Sequence, residues 1–463
     1  MEGFFFETKK GNQYFYSDST GVVKYVDNIK AARQLEKENK TKNCILQQKV
    51  ELEDIHTYLK QNGTKELFLI VTEDCNLRCK YCAYSGNYYN MRIHRQVYME
   101  SSIAKEAVKK YLNTLKETKR RNPYLKPIIG FYGGEPLLNF DLIKEVINYA
   151  KKIYKGCFFT LTTNGILLRK EIADFLAQNE VAIAVSLNGQ REEHDRLRVF
   201  PDHSGSFDII LKNLINLSEK YSDYYKKFCS IIVCYDYGSD IIEMSRFFDK
   251  QADLLKVARV NMISDSFGRW YKRYSKEDKE KFFERMEYCK QMYFEHLKRG
   301  NENRFLSALI GTPYTLILNR SINILYSLTR PKFLPFTATC VPGTKVAVDP
   351  DGNLHCCEKM NYNFPIGNVQ KWLEIEKIGI LVEKYNSEIT KDCLNCCVKR
   401  LCPLCFALTA GIEKFEKEPA DVCEKIRKSI KKQFEEVWSL LEDGVDLFDI
   451  VTQKGYKQGG VFL

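Results

Sequence analysis

Leu67-Phe-Leu-Ile-Val-Thr72-Glu-Asp-Cys75-Asn-Leu-Arg-Cys79-Lys-Tyr-Cys82 decides how this chain is read. Its apolar half shows no polar alternation, the pattern of a strand buried on both faces. Three cysteines at spacings of four and three then leave the strand end. Thiolates so placed can hold three irons of a four-iron cluster and leave the fourth iron to a non-protein ligand. With 17 cysteines in 463 residues, chance yields such a triplet only about 0.02 times. The competing reading is three unrelated buried thiols.

Working outward, strand-like runs alternate with helix-length segments for the next two hundred or so residues. The strands are Leu67–Thr72, Pro127–Tyr132, Cys157–Thr162, Val181–Leu187, Ser230–Tyr235 and Val257–Ile263. The helices are Ser101–Lys119, Phe140–Tyr154, Lys170–Gln178, Phe207–Lys220 and Asp240–Lys250. This order predicts an α/β fold, a partial (β/α)6 TIM-like barrel with reactive groups at the C-terminal strand ends. The motifs agree: Cys75–Cys82 follows the first strand, Gly133-Gly134-Glu135-Pro136 the second, Thr163-Asn164-Gly165 the third and Asn188-Gly189 the fourth.

Composition narrows the class. Hydrophobic residues make up 44% and charged residues 28% of the chain, as in an ordinary globular protein. No apolar run approaches the ~20 residues of a membrane span, and the first residues lack the basic region of a signal peptide. Clustered cysteines in odd number point to metal ligation in a reducing cytoplasm, that of an anaerobic bacterium once iron–sulfur chemistry is included. The net charge of +11 lies largely in runs such as Lys425–Lys432, which read as solvated helix faces. Neither nucleic acid nor membrane is an expected partner.

Residues 1–65 differ from the rest. Short β-like pieces (Phe4–Glu7, Gln13–Tyr16, Val22–Val26) precede helix-like segments at Ile29–Glu38 and Leu52–Gln61, as in a winged helix–turn–helix. The expected order is this unit, a barrel over 66–300, a bridge over 301–335, a cysteine-rich domain over 336–430 and a C-terminal helix and tail over 431–463.

On these residues, Leu67–Ser264 resembles the radical S-adenosylmethionine (SAM) superfamily. The resemblance implies that Cys75, Cys79 and Cys82 hold a [4Fe–4S] cluster and that SAM docks on its open iron. Reductive cleavage of SAM would then give a 5′-deoxyadenosyl radical that abstracts hydrogen from substrate. Gly133, Gly134, Glu135 and Pro136 look like the methionine-binding turn, where the glycines admit close approach and Glu135 receives the ammonium group. Tyr81 stands where the family has an aromatic near adenine. Asn164, Ser186 and Asn188 fit ribose or carboxylate contacts, or else satisfy loop backbone. Arg198, in His194-Asp-Arg-Leu-Arg198, resembles an arginine on the SAM carboxylate, a task suited to its fork.

A second cysteine field resembles the SPASM extension of peptide-modifying radical SAM enzymes, which carries two auxiliary [4Fe–4S] clusters, three in all. By that resemblance Cys393, Cys396, Cys402 and Cys423 complete one cluster. Cys340, Cys357 and Cys405 hold the other, with Cys356, Cys397 or a substrate thiolate as the fourth ligand. The central run has two residues, Pro403 and Leu404, where the family usually has three. The competing reading is structural zinc. Cys44, Cys157, Cys229, Cys234 and Cys289 read as small buried hydrophobes.

The N-terminal unit resembles the leader-recognition element of ribosomal-peptide maturases, which adds the leader as a strand to its sheet edge. Tyr14–Asp27 looks like the start of maturases that join cysteine sulfur to carbon. The resemblance therefore implies thioether formation in a cysteine-containing precursor peptide, with a flavodoxin- or ferredoxin-type electron donor. Alternatives are an anaerobic sulfatase-maturing enzyme that makes formylglycine, a carbon–carbon crosslinking maturase, and a non-enzymatic zinc or iron–sulfur nucleic-acid binder. No catalytic base is named.

Overall fold

The computed structural model describes residues 3–18, 20–26, 50–120, 123, 125–264, 266–322, 331, 333–334, 339–393, 395–417 and 419–446. Six parallel strands form its centre: β4 (Glu66–Thr72), β5 (Ile128–Gly133), β6 (Phe158–Thr163), β7 (Ala182–Ser186), β8 (Cys229–Tyr235) and β9 (Val257–Met262). Each pairs in parallel with the next. The sequence placed all six within about two residues, because strands covered on both faces carry an unbroken apolar signal.

Helices α2 (Ser101–Lys119), α3 (Phe140–Ile153), α4 (Lys170–Gln178), α6 (Phe207–Lys220) and α8 (Ile241–Lys250) cover the outside; α5 (Arg191–Leu197) and α7 (Ser222–Phe228) are short additions. Their apolar stripes are helical. In α2, Ala104, Ala107, Val108, Tyr111, Leu112 and Leu115 are buried, and in α3, Leu142, Ile143, Val146, Ile147 and Ala150. These side chains meet Leu67, Leu69, Val71, Ile129 and Phe131 from the sheet in the main core.

The sheet does not stop at six strands. β10 (Lys345–Val348) pairs in parallel with β4, from Lys345 opposite Glu66 to Val348 opposite Leu69. β11 (Asn353–His355), β12 (Gly367–Asn368) and β13 (Trp372–Leu373) continue antiparallel, making ten strands. The cysteine-rich part is thus built into the barrel sheet at its β4 edge. α12 (Ala420–Glu442) runs through the expected boundary at residue 430 as one helix and carries Cys423 in its first turn.

β1 (Gly3–Glu7), β2 (Gln13–Ser17) and β3 (Val23–Tyr25) form a separate antiparallel sheet. The helix expected over Ile29–Glu38 lies outside the described residues. The other is present as α1 (Leu52–Asn62). The small sheet packs on α12, with the rings of Phe4 and Tyr16 at 5.2 and 4.8 Å from Phe434 and that of Phe6 at 5.5 Å from Trp438. α1 rests instead on α11 (Ile375–Glu388), where Leu52 fills the space a Cβ at Gly379 would take. β1–β3 and α1 are therefore each anchored to a different C-terminal element. Among the described residues no helix is long and apolar enough to cross a membrane.

Candidate active site

Backbone hydrogen bonds stitch the loop after β5 to the cysteine loop after β4. Gly134 N–H donates to Thr72 O at 3.0 Å and Glu135 N–H to Asp74 O at 2.8 Å. A Cβ on Gly133 would stand 2.2 Å from Thr72 O, and one on Gly134 2.0 Å from Asp74 O. Both glycines are thus required by the approach of one loop to the other, directly before Cys75. The sequence reading assigned these glycines to the approach of a ligand; the loop contact adds a second demand on the same positions.

Glu135 is buried and already serves three donors: Thr163 Oγ1 at 2.7 Å, Asn164 N–H at 2.7 Å and Leu137 N–H at 3.1 Å. Burial raises its carboxyl above the ordinary value, opposed by these hydrogen bonds and by the charge of Arg198. It joins the ends of β5 and β6. Asn164 is similarly committed, its Nδ2 donating to Asn76 Oδ1 at 2.7 Å and its Oδ1 accepting from Ile166 N–H at 3.0 Å. Asn188 braces β7 to β8 by accepting from Cys234 N–H at 3.0 Å. Pro136 opens the short turn after Glu135, and Ser186 stands half-buried at the end of β7.

Tyr81 and Arg198 meet. Arg198 Nη1 donates to the Tyr81 hydroxyl at 2.8 Å, while Arg198 Nε is buried without a hydrogen-bond partner. Burial lowers the pKa of this guanidinium, but the charges of Cys79 and Tyr81 outweigh it, so the net shift is upward. Its main chain is fixed by a relay in which Asn188 N–H donates to His194 Nδ1 (3.2 Å). His194 Nε2–H then donates to Ser206 Oγ (3.0 Å), and the hydroxyl to Arg198 O (2.9 Å). The buried His194 is held neutral, first by burial and then by Arg198.

Burial pushes the Cys75 thiol up to about 12 and that of Cys82 up to about 11. Such thiols become thiolates only beside strong positive charge, as cluster irons supply. The three thiols interact electrostatically with one another, and the buried, unpartnered Arg198 donor beside them suits an anionic ligand group. This donor set fits a cluster and a carboxylate-bearing cofactor.

The second cysteine field resolves into two groups. Cys393, Cys396, Cys402 and Cys423 line one cavity of about 180 Å³, together with Lys399, Lys417 and Arg427. Cys340, Cys356, Cys357 and Cys405 form the other, mutually close enough to interact. Cys356 thus lies with Cys340, Cys357 and Cys405, whereas the neighbours of Cys397 are Cys396, Asp18 and Arg427.

The radical SAM superfamily pattern matches residues 69–248. Residues 69–248 are a radical SAM domain. Such a domain uses a [4Fe–4S] cluster and S-adenosylmethionine. Over 184 residues the chain is 29% identical to a cysteine-type anaerobic sulfatase-maturating enzyme of Clostridium novyi, covering 39% of this chain and 46% of that enzyme. The chain therefore spans less than half of that relative. Over 373 residues it is 25% identical to the radical SAM cyclopropyl synthase TigE of Paramaledivibacter caminithermalis, covering 76% of this chain and 69% of TigE. The structure of His-tagged anSMEcpe with bound AdoMet superposes with a TM-score of 0.60 at 18% identity, covering 85% of this chain and 99% of that one. At that identity the likeness is one of fold.

Several residues around the radical SAM domain's site escaped sequence reading. Cys234, read as a buried hydrophobe, is half-buried beside Tyr81, Arg198 and Cys79; Cys157 is also half-buried, Cys229 and Cys289 are buried, and Cys44 lies outside the described residues. Arg92 stacks on Tyr84, 3.7 Å from ring centre to guanidinium carbon, next to Cys82. Glu358 is buried one residue beyond Cys357. Only their placement on strand ends and loops around one rim reveals them, since no spacing motif links them.

Proposed function

We propose that this chain is a radical SAM peptide maturase with three [4Fe–4S] clusters that joins a cysteine sulfur of a precursor peptide to an acceptor carbon. One observation carries the reading: eleven cysteines gather into three groups, and two of these groups lie close together. Tyr84 interacts electrostatically with both Cys82 and Cys357, so these two groups are neighbours, and we take the space between them as the substrate chamber. The third group lines a cavity of its own. A single zinc ion would draw ligands to about 2.3 Å of one point. Thiols spread around a cavity of about 180 Å³ instead suit a polynuclear group.

When bound, the cluster and SAM supply a carbon-centred oxidant that removes hydrogen from substrate. The chain's own residues hold and shield it. Cys75, Cys79 and Cys82 would ligate the first cluster. Arg198, fixed by Tyr81 and by the His194–Ser206 relay, would take the cofactor carboxylate. Glu135 would secure the turn that covers the methionine end. Cys393, Cys396, Cys402 and Cys423 would ligate one auxiliary cluster; Cys340, Cys356, Cys357 and Cys405 would surround the other, nearer the chamber. Thioether formation loses one C–H and one S–H and makes one C–S bond, with the two electrons ending on cleaved SAM. A flavodoxin- or ferredoxin-type donor is then needed only for priming. The edge of the β1–β3 sheet would receive the leader as an added strand.

Anaerobic co-production with a cysteine-rich precursor tests this. The expected peptide has lost two hydrogens per bridge and its bridged cysteines resist alkylation. Unchanged peptide alongside 5′-deoxyadenosine formation overturns it. Similarity to the sulfatase-maturating enzyme of Clostridium novyi favours one second reading, formylglycine formation, which would instead remove the sulfur from the target cysteine.

A further inference from the structure

Near the proposed substrate chamber lies a cation whose side chain has no partner. Beside it Phe68, Ile70 and Ala347 from β4 and β10, with Tyr132 and Tyr362 packed on them, form an apolar cluster distinct from the main core. Most charges that face it are engaged. Arg92 stacks on Tyr84 at 3.7 Å and approaches Glu73 at 3.8 Å through Nε, while its two Nη atoms are buried without a hydrogen-bond partner. Lys345 pairs with Glu66 at 3.4 Å and Glu358 at 3.1 Å. Arg259 differs. It sits on β9 opposite Ile232 of β8 and senses Tyr132 and Glu358 across the interior. Among the described residues its side chain has neither a hydrogen bond nor an ion pair, although it is half-buried. Glu358 is held on the other side by Lys345.

A half-buried guanidinium keeps its charge at a desolvation cost that an anion in bidentate contact offsets. Carboxylates fit that fork. The cofactor carboxylate already has Arg198 among the cysteines of the first group, whereas Arg259 faces Tyr132 and Glu358. We propose that Arg259 is a specificity residue of the chamber, binding the carboxylate of an aspartate or glutamate side chain in the substrate peptide. This rests on the peptide-maturase reading above. It adds a substrate class: a peptide whose cysteine-containing segment brings an acidic residue between the two cysteine groups.

The test uses anaerobically reconstituted full-length protein with SAM and three probes: acetyl-Ala-Asp-Ala-amide, acetyl-Ala-Asn-Ala-amide and acetyl-Ala-Ala-Ala with a free C-terminal carboxylate. Affinities come from saturation-transfer NMR, and protection of Arg259 from phenylglyoxal from peptide mapping. The aspartate probe is expected to bind roughly tenfold more tightly than the asparagine probe and to protect Arg259. Arg259→Gln should bring that ratio to about one with the asparagine affinity little changed, and Arg259→Lys should retain part of it. Circular dichroism and iron content establish that both variants are folded. Equal binding of the aspartate and asparagine probes overturns the proposal, as does protection by the free-acid probe alone, which would reassign Arg259 to a chain terminus. A wild-type ratio that survives Arg259→Gln overturns it too. Wild-type 5′-deoxyadenosine production under dithionite is measured alongside; its absence would sink the enzyme reading itself, and its presence confines a failure to Arg259.

Discussion

The Arg198 guanidinium donates to the Tyr81 hydroxyl across 2.8 Å, joining the segment after α5 to the residue between Cys79 and Cys82. The contact leaves Arg198 Nε buried and unpartnered. A buried charged donor left open is costly, and a charged hydrogen bond to it contributes about 1.5–3 kcal/mol. Arg198→Gln is therefore expected to weaken SAM binding by roughly 10- to 100-fold in anaerobic equilibrium dialysis, with iron content retained. Wild-type affinity in that variant would remove Arg198 from the cofactor site.

Gly134 tests the seam between the two loops. A methyl group there meets the Asp74 carbonyl at 2.0 Å, and backbone cannot swing aside as a side chain does. Overpacking of this kind costs about 1–3 kcal/mol. Because the strain falls directly before Cys75, Gly134→Ala should selectively reduce occupancy of the first cluster. EPR of the dithionite-reduced protein should lose the signal that SAM perturbs and keep the others. Full retention of that signal would show that the close approach is not needed.

Neighbouring cysteines provide a sharper comparison. Cys396 lines the distal cavity with Cys393, Cys402 and Cys423, while Cys397 lies toward Asp18 and Arg427. Cys396→Ser should lower iron by roughly four atoms per chain, one [4Fe–4S] unit. Cys397→Ser should leave iron unchanged. Equal losses from both substitutions would contradict the assignment of the cavity.

The sequence carried the barrel well because most residues of its central strands are buried and each covering helix shows its buried stripe. α2, α4 and α6 begin and end at the predicted residues. It did not show β10–β13, which span four, three, two and two residues and exist through pairing rather than local preference. α9 (Lys276–Arg299) was also missed: only Phe282, Cys289, Tyr293 and Leu297 of its 24 residues are buried, a stripe diluted by charge. Within the site the cysteine spacings were informative, but Arg259 on β9 was not. An arginine inside a strand pattern reads as solvent-facing until the register turns it inward.

Asp18 gives a pH-dependent test of how the small sheet holds the distal cysteine loop. It follows β2 and is buried, accepting from Arg400 N–H at 3.1 Å, while Arg400 Nε donates to Asp18 O at 2.9 Å. Burial pushes its carboxyl up to about 6, opposed by the Arg400 N–H, Lys399 and Arg400 charges and the Tyr16 hydroxyl. The folded state thus holds this proton more tightly than the unfolded chain, whose value is near 3.8. By linkage, this group's contribution is largest below the unfolded value and is lost as pH rises through about 6. Between pH 5 and pH 7.5 the wild type should lose about 1 kcal/mol relative to Asp18→Asn, which does not titrate there. Anaerobic urea titrations of both proteins at the two pH values, followed by tryptophan fluorescence, measure the difference. A gap between wild type and variant that is the same at both pH values would mean that Asp18 is already ionised throughout, and that the sheet is tied to the cysteine loop by hydrogen bonds to a charged carboxylate.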